Sequence, residues 1–333
     1  MLRCTIKLVL VVLAMSACAR SDPVPEELSL GVPVGFDPIP VPPHNRLTEA
    51  KVRLGRRLFF DPILSADSTI SCATCHIPKI LFSDRKPVSQ GLNGRLGTRN
   101  APSLINVAYQ KLFFWDGGSI TLEHQVFGPL QSSDEMGLDL ASVLSRLKSD
   151  LAYREAFDDV FDEPPSLLGL TQALGAYQRT LRSGGARYDS YKGGDTEALS
   201  GSEKRGLALF EGKAGCVRCH RGFLFTNLDF ENNGLYVAGE DSGRARITGL
   251  REDYGKFKVP SLRNVAQTAP YMHDGRLPTL SSVIEHYDQG GNPVLGKSNL
   301  IKPLNLNERE RTDLEAFLHS LTDTITFAGV EIP

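Results

Sequence analysis

The alternation of apolar and polar residues along the chain predicts a mainly helical protein. Helices are expected over residues 48–60, 119–128, 139–161, 166–182, 201–212, 279–287 and 307–321. The last places Leu314, Phe317, Leu318 and Leu321 at helical spacing, which fits either a helix packed on a core or a plain surface helix. Between these stretches the pattern breaks down. Residues 23–45 are rich in proline and read as extended, 91–100 and 226–258 read as loops, and Gly184–Gly194 reads as a boundary between domains.

The pattern also repeats. Ala101-Pro102-Ser103-Leu104-Ile105-Asn106-Val107-Ala108 resembles Val259-Pro260-Ser261-Leu262-Arg263-Asn264-Val265-Ala266, 158 positions on. At the same offset Trp115-Asp116-Gly117 falls on His273-Asp274-Gly275, and Thr121-Leu122 on Thr279-Leu280. An amphipathic stretch precedes this region in both halves, at Glu49–Phe60 and Ser202–Phe210. A period this long describes two duplicated units rather than a solenoid.

Composition adds a destination and excludes some functions. Arg3 and Lys7 followed by the apolar run Leu8–Met15 make residues 1–19 an export signal. The run is too short for a permanent membrane span. Ala17-Cys18-Ala19 offers a cleavage site. Met15-Ser16-Ala17-Cys18 offers a weaker alternative, lipidation at Cys18, so soluble export to the periplasm is favoured. A formal net charge of −2 argues against nucleic-acid binding. Thirty-one glycines and twenty prolines predict a loop-rich fold whose core is completed by something other than side chains.

That something is indicated by two copies of Cys-x-x-Cys-His, at Cys72–His76 and Cys216–His220. The spacing suits a c-type haem: two thiols bond the porphyrin and the histidine ligates its iron. A redox-active dithiol or a zinc site would use the cysteines but has no need of a histidine directly after each pair. The fold expected is therefore mainly α and loop-rich, with two cytochrome c-like haem domains from an internal duplication. Residues 1–19 are the signal, 20–45 an extended segment, 46–184 the first domain and 185–333 the second.

The duplication lets the two irons be compared. Tyr287 lies 14 residues after His273, and its counterpart in the first half is Pro129. A tyrosine oxygen can ligate iron and proline cannot, so the first haem is expected to be open and the second closed by Tyr287. His286 and Met272 compete for that place by their chemistry, and Tyr287 could instead be a core residue. An open ferric haem that cleaves peroxide needs an acid–base group. Asp116, Glu123, Asp134 and Glu135 are the carboxylates at hand, with Glu135 in a turn just after Pro129. Trp115, the only tryptophan, lies between the haem motifs and could relay electrons or simply fill core.

These residues resemble the bacterial dihaem cytochrome c peroxidases and the related MauG proteins of methylamine utilisation, over about residues 40–325. The resemblance is carried by Leu54–Pro62, Ser71–His76, Arg99–Ser103, Phe114–Gly117, Glu135-Met136 and Ala269–Gly275. It implies that Glu135 is the catalytic glutamate, Gln125 a glutamine of the peroxide pocket, and Trp115 the tryptophan between the haems. It implies that Tyr287 is the distal ligand of the electron-transfer haem, a place held by tyrosine in MauG and methionine in ordinary members. It also implies one calcium ion at Asn100, Thr268 and Pro270, a set of oxygen donors suited to a hard cation. Ordinary members cap the peroxidatic haem with a histidine where this chain has Leu92, so the first haem is expected to stay open without reduction.

The leading expectation is an exported dihaem peroxidase that reduces hydrogen peroxide with electrons from a small c-type cytochrome or a cupredoxin. A MauG-like enzyme that oxidises residues of a partner protein is the second reading, and a non-catalytic dihaem electron carrier the third. The sequence leaves a homodimer and a lipid anchor open.

Overall fold

A computed structural model describes residues 26–236 and 241–323. The expected export signal and Cys18 lie outside the described residues. In chain order the α-helices are α1 (Glu49–Phe60), α2 (Cys72–Cys75), α3 (Leu122–Gln125), α4 (Phe127–Gln131), α5 (Leu140–Ser149), α6 (Leu151–Phe161), α7 (Leu167–Arg179), α8 (Arg187–Lys192), α9 (Gly201–Glu211), α10 (Ala245–Thr248), α11 (Leu280–Asp288) and α12 (Glu308–Ser320). A two-residue antiparallel ribbon pairs β1 (Phe230–Glu231) with β2 (Phe257–Lys258). Among the described residues no helix is long and apolar enough to cross a membrane.

Two of the expected helices are interrupted, each for a local reason. The stretch 139–161 breaks at Asp150, which ends α5 in extended conformation while its side chain accepts the Tyr153 amide and caps α6. The stretch 119–128 is divided into α3 and α4, and α4 runs on to Gln131. The expected boundary at Gly184–Gly194 contains α8, whose first turn is closed by Asp189 accepting the Ala186 amide.

Two apolar clusters form, one around each half of the chain. In the first, α1 lies across α7, and Leu54, Leu58 and Phe59 pack with Tyr153, Phe157, Leu170 and Tyr177. In the second, α9 lies across α12, and Phe210 packs with Phe225, Ile284, Leu314 and Phe317. The last helix is thus a core helix, with Phe317 fully buried. Both crossings depend on a glycine. A Cβ on Gly55 would stand 1.8 Å from the Ala173 carbonyl oxygen, and one on Gly206 1.9 Å from that of Asp313. Only hydrogen at these positions lets the backbones approach so closely.

Smaller features recur in both halves. Asn106 and Asn264 are both left-handed, at φ 60° and 61°, and each precedes a short 3-10 turn. The bridges Phe113–Ser119 and Tyr271–Leu277 lie at the same 158-residue offset. The two asparagines meet at one residue: Asn106 Nδ2 donates to the Ser183 carbonyl (2.9 Å) and Asn264 Nδ2 to Ser183 Oγ (2.8 Å).

Candidate functional site

The two Cys-x-x-Cys-His segments end the helical pairs just described, and each is compact. Cys72–Cys75 is a single helical turn held by the Ser71–Thr74 capping box, and Cys216–Arg218 is a 3-10 turn. Positions three and four apart on such a turn share a side, so both thiols and the following imidazole fall on one side of it. All four cysteines are free. Burial pushes the thiols of Cys72 and Cys216 up to about 12 and raises Cys75 and Cys219 as well. A dithiol made for redox exchange needs the opposite shift. Among the described residues no group of three or more cysteine, histidine or acidic side chains is gathered as a metal site.

The imidazoles are set as iron ligands should be. His76 Nδ1 lies 2.9 Å from the Phe82 carbonyl and His220 Nδ1 3.0 Å from that of Phe225. A proton on Nδ1 shared with a carbonyl leaves the Nε2 lone pair for a metal and fixes the ring. Burial lowers the pKa of both, which keeps them neutral. The residues present fit two haems of the c type.

Glu135 stands by the first motif. It sits in a turn after α4 in which Glu135 N bonds the Ser132 carbonyl (3.0 Å) and Met136 N that of Pro129 (3.1 Å). Ala66 N, ahead of the motif, bonds the Met136 carbonyl at 2.8 Å and ties the turn to the haem segment. The carboxyl is close enough to Cys72 and Cys75 to raise both thiols. Glu135 is exposed yet densely surrounded, as a side chain facing a hollow would be. That surrounding burial pushes its carboxyl up, against a Ser132 hydrogen bond that lowers it. The competing carboxylates are committed elsewhere or face solvent. Glu123 bonds Arg179 (2.7 Å) and Asn45 (2.6 Å), Asp116 bonds Arg99 (2.6 Å), and Asp134 is exposed. Leu92 lies against this turn, its amide donating to the Glu135 carbonyl at 2.9 Å. Gln125 ends α3, half-buried, two residues before α4.

Beside the second motif, Tyr287 projects from α11. Its phenol is raised to about 12 by burial, and it lies near both Cys216 and Cys219. Asn233, which nothing in its Asn-Asn-Gly stretch singles out, donates to Tyr287 Oη and to Met272 Sδ, each at 3.3 Å. The Nε2 of the competitor His286 is engaged, lying 3.1 Å from the Asn233 carbonyl.

Trp115 lies where the halves touch. Its Nε1 donates to the Asn100 carbonyl (2.8 Å), its own carbonyl accepts from Lys258 N (2.8 Å), and its ring is edge-on to His273 at 6.4 Å. Asn100 N in turn bonds the His273 carbonyl at 2.7 Å, and its Nδ2 donates to the Lys86 carbonyl at 2.9 Å. Arg99 joins Asp116 of one half to Asp241 of the other, at 2.6 and 2.8 Å.

A family model described as di-haem cytochrome c peroxidase matches residues 49–197. The methylamine utilization protein MauG of Methylorubrum extorquens is 42% identical over 290 residues, 85% of this chain and 81% of that one. The cytochrome-c peroxidase IdrP1 of Pseudomonas sp. (strain SCT) is 35% identical over 86% of this chain and 84% of its own. Among solved structures, a MauG-like protein associated with microbial copper homeostasis superposes with a TM-score of 0.83 at 36% identity, covering 89% of this chain and 96% of that one.

Proposed function

The chain belongs to the di-haem cytochrome c peroxidase family, and from that premise we propose that it is an exported oxidoreductase reducing hydrogen peroxide to water at the haem held by Cys72, Cys75 and His76. A second haem, on Cys216, Cys219 and His220, passes the electrons in. Each half of the chain is read as one cytochrome c-like domain of a duplicated pair, 46–184 and 185–333. Its place is the periplasm, and its donor a small c-type cytochrome or a cupredoxin. A calcium ion at Asn100, Thr268 and Pro270 would stiffen the junction at which Trp115 sits.

Bound haem supplies a ferric iron that takes peroxide and accepts electrons one at a time. The side chains do the rest. Glu135 would take a proton from one peroxide oxygen and give it to the other as the O–O bond breaks, a role that its raised proton affinity favours. Gln125 orients the peroxide, and Trp115 carries electrons between the halves. Tyr287 closes the second iron, with Asn233 positioning its oxygen. The observation that carries this reading is the contrast between the sites. The first has Pro129 where the second has Tyr287 held by an amide, and it has Glu135 and Leu92 close by.

The same contrast favours a second reading, in which a partner protein rather than a cytochrome is the reductant and its residues are oxidised. A relative 42% identical is named for methylamine utilization, and Tyr287 stands where such proteins carry tyrosine. Cyanide titration of the all-ferric holoprotein tests what both readings share. One haem of the two should bind cyanide without prior reduction. If neither binds, both irons are closed and the chain is an electron carrier.

A further inference from the structure

Beyond Trp115 lies a second oxidisable ring that the peroxide site does not use. The Tyr236 hydroxyl is within hydrogen-bond distance of His273 Nε2, and 3.2 Å from Asp274 Oδ2. His273 is buried, stacked on Phe257 with ring centroids 3.4 Å apart, and edge-on to Trp115. Tyr236 and His273 line one wall of a cavity of about 280 Å³ that Asp241 and Tyr254 also border. An imidazole thus bridges the indole at the junction of the halves and a phenol facing a cavity.

A phenol gives up an electron readily only when its proton leaves at the same time, because the oxidised phenol is a strong acid. The geometry supplies the base. One phenolic proton cannot serve two acceptors, and the shorter contact assigns it to His273, in its Nδ1–H tautomer. Asp274 Oδ2 already receives Arg276 Nε at 2.6 Å and is the poorer acceptor. His273 Nε2 faces the phenol directly, and the Asp274 and Asp241 carboxylates stand close enough to favour an imidazolium once it forms. Burial raises the Tyr236 phenol, which therefore keeps its proton until it is oxidised.

We propose that Tyr236 is a redox-active residue that relays an oxidising equivalent from Trp115 to the cavity and releases its proton to His273 Nε2. The inference rests on the peroxide-consuming reading, since peroxide, taking two electrons to become water, is the oxidant. Trp115 that has lost one electron regains it from Tyr236. The phenolic O–H bond breaks, its proton bonds to Nε2, and a neutral phenoxyl faces an imidazolium. A one-electron organic reductant small enough to enter the cavity, of the hydroquinone class, then returns the electron, and the proton goes back from His273. The cavity becomes a second port for reducing equivalents, separate from the route through the second haem.

The test is to mix the all-ferric holoprotein with hydrogen peroxide and a nitroso spin trap, follow peroxide loss, and locate the trap adduct by peptide mass mapping. The adduct is expected on Tyr236. It is expected to be lost in Tyr236→Phe, and also in His273→Phe, which keeps a ring against Phe257 but takes no proton. A purely structural Tyr236 would give no adduct in the native chain. Peroxide consumed with adducts on Trp115 or Tyr254 alone overturns the relay and leaves the peroxide reading intact. Peroxide not consumed at all overturns both.

Discussion

Glu135 gives the account its clearest consequence at the scale of a residue. Burial holds its carboxyl above the ordinary range, so the ionised form that must accept the first proton is lost at a higher pH than for an exposed glutamate. Turnover should therefore fall on the acid side through a raised pKa, to be read from kcat against pH. Glu135→Gln should lower kcat by about 10²–10⁴-fold with both haems still attached. The same shift predicts an unusual stability result. A carboxyl whose folded pKa is raised favours folding only while protonated, below its unfolded pKa, and loses that contribution as pH rises through the folded value. Above its folded pKa the ionised Glu135 is a cost, so there the glutamine variant should melt no lower than the parent while losing activity. A variant that keeps its turnover would remove Glu135 from the mechanism. That Glu135 stands by the first motif was legible beforehand, because it follows Pro129 closely in one turn. Asn233 and the Tyr236–His273 contact were not, because nothing in an isolated Asn-Asn-Gly-Leu-Tyr stretch tells which distant ring will meet it.

Among elements, the helix crossings before each haem motif are the points of least tolerance. Gly55→Ala or Gly206→Ala would gain about 1 kcal/mol of helix propensity. Each would also drive a Cβ to within 2 Å of a facing carbonyl oxygen. Backbone cannot yield as a side-chain tip can, so overpacking wins and a net loss of about 2 kcal/mol or more is expected in denaturant unfolding. Unchanged or raised midpoints in both variants would mean that the helices slide apart at little cost. Periodicity located α1, α7, α9, α11 and α12 to within a few residues, because each buries an apolar face in one of the two clusters. It missed the break at Asp150, where a capping side chain interrupts a pattern that is otherwise continuous. It also missed the short α8, set by the Asp189–Arg263 pair (2.8 Å) and by Asp189 accepting the Ala186 amide (2.9 Å) rather than by an apolar stripe.

At the scale of the whole molecule, a guanidinium ties the two halves together. Arg99 links Asp116 and Asp241. Burial opposes the charge of Asp241, but the guanidinium outweighs it and holds the carboxyl below its usual range. Removing Arg99 strands the buried Asp116 carboxylate, so Arg99→Ala should cost about 3–5 kcal/mol in unfolding measurements. Arg99→Lys should restore only part, since an ammonium cannot form the paired bonds to Asp241. Equal stability of Arg99→Ala and the parent would show that the halves are held by other contacts. The joint matters for function because Trp115 and His273 meet across it. The sequence repeat at an offset of 158 identified matching segments, yet it carried no information about which of them would touch.

The central claim is that the first iron accepts peroxide without being reduced first, because Leu92 and Pro129 put no ligand in its way. The most direct measurement is the reduction of hydrogen peroxide by the all-ferric holoprotein, with a reduced small cytochrome c as donor and no pre-reduction. The account predicts turnover that begins without a lag. If only a long-lived spectral change follows peroxide, the iron is open and the reductant is a partner protein. A protein that neither turns over nor changes its spectrum until it has been reduced would contradict the account.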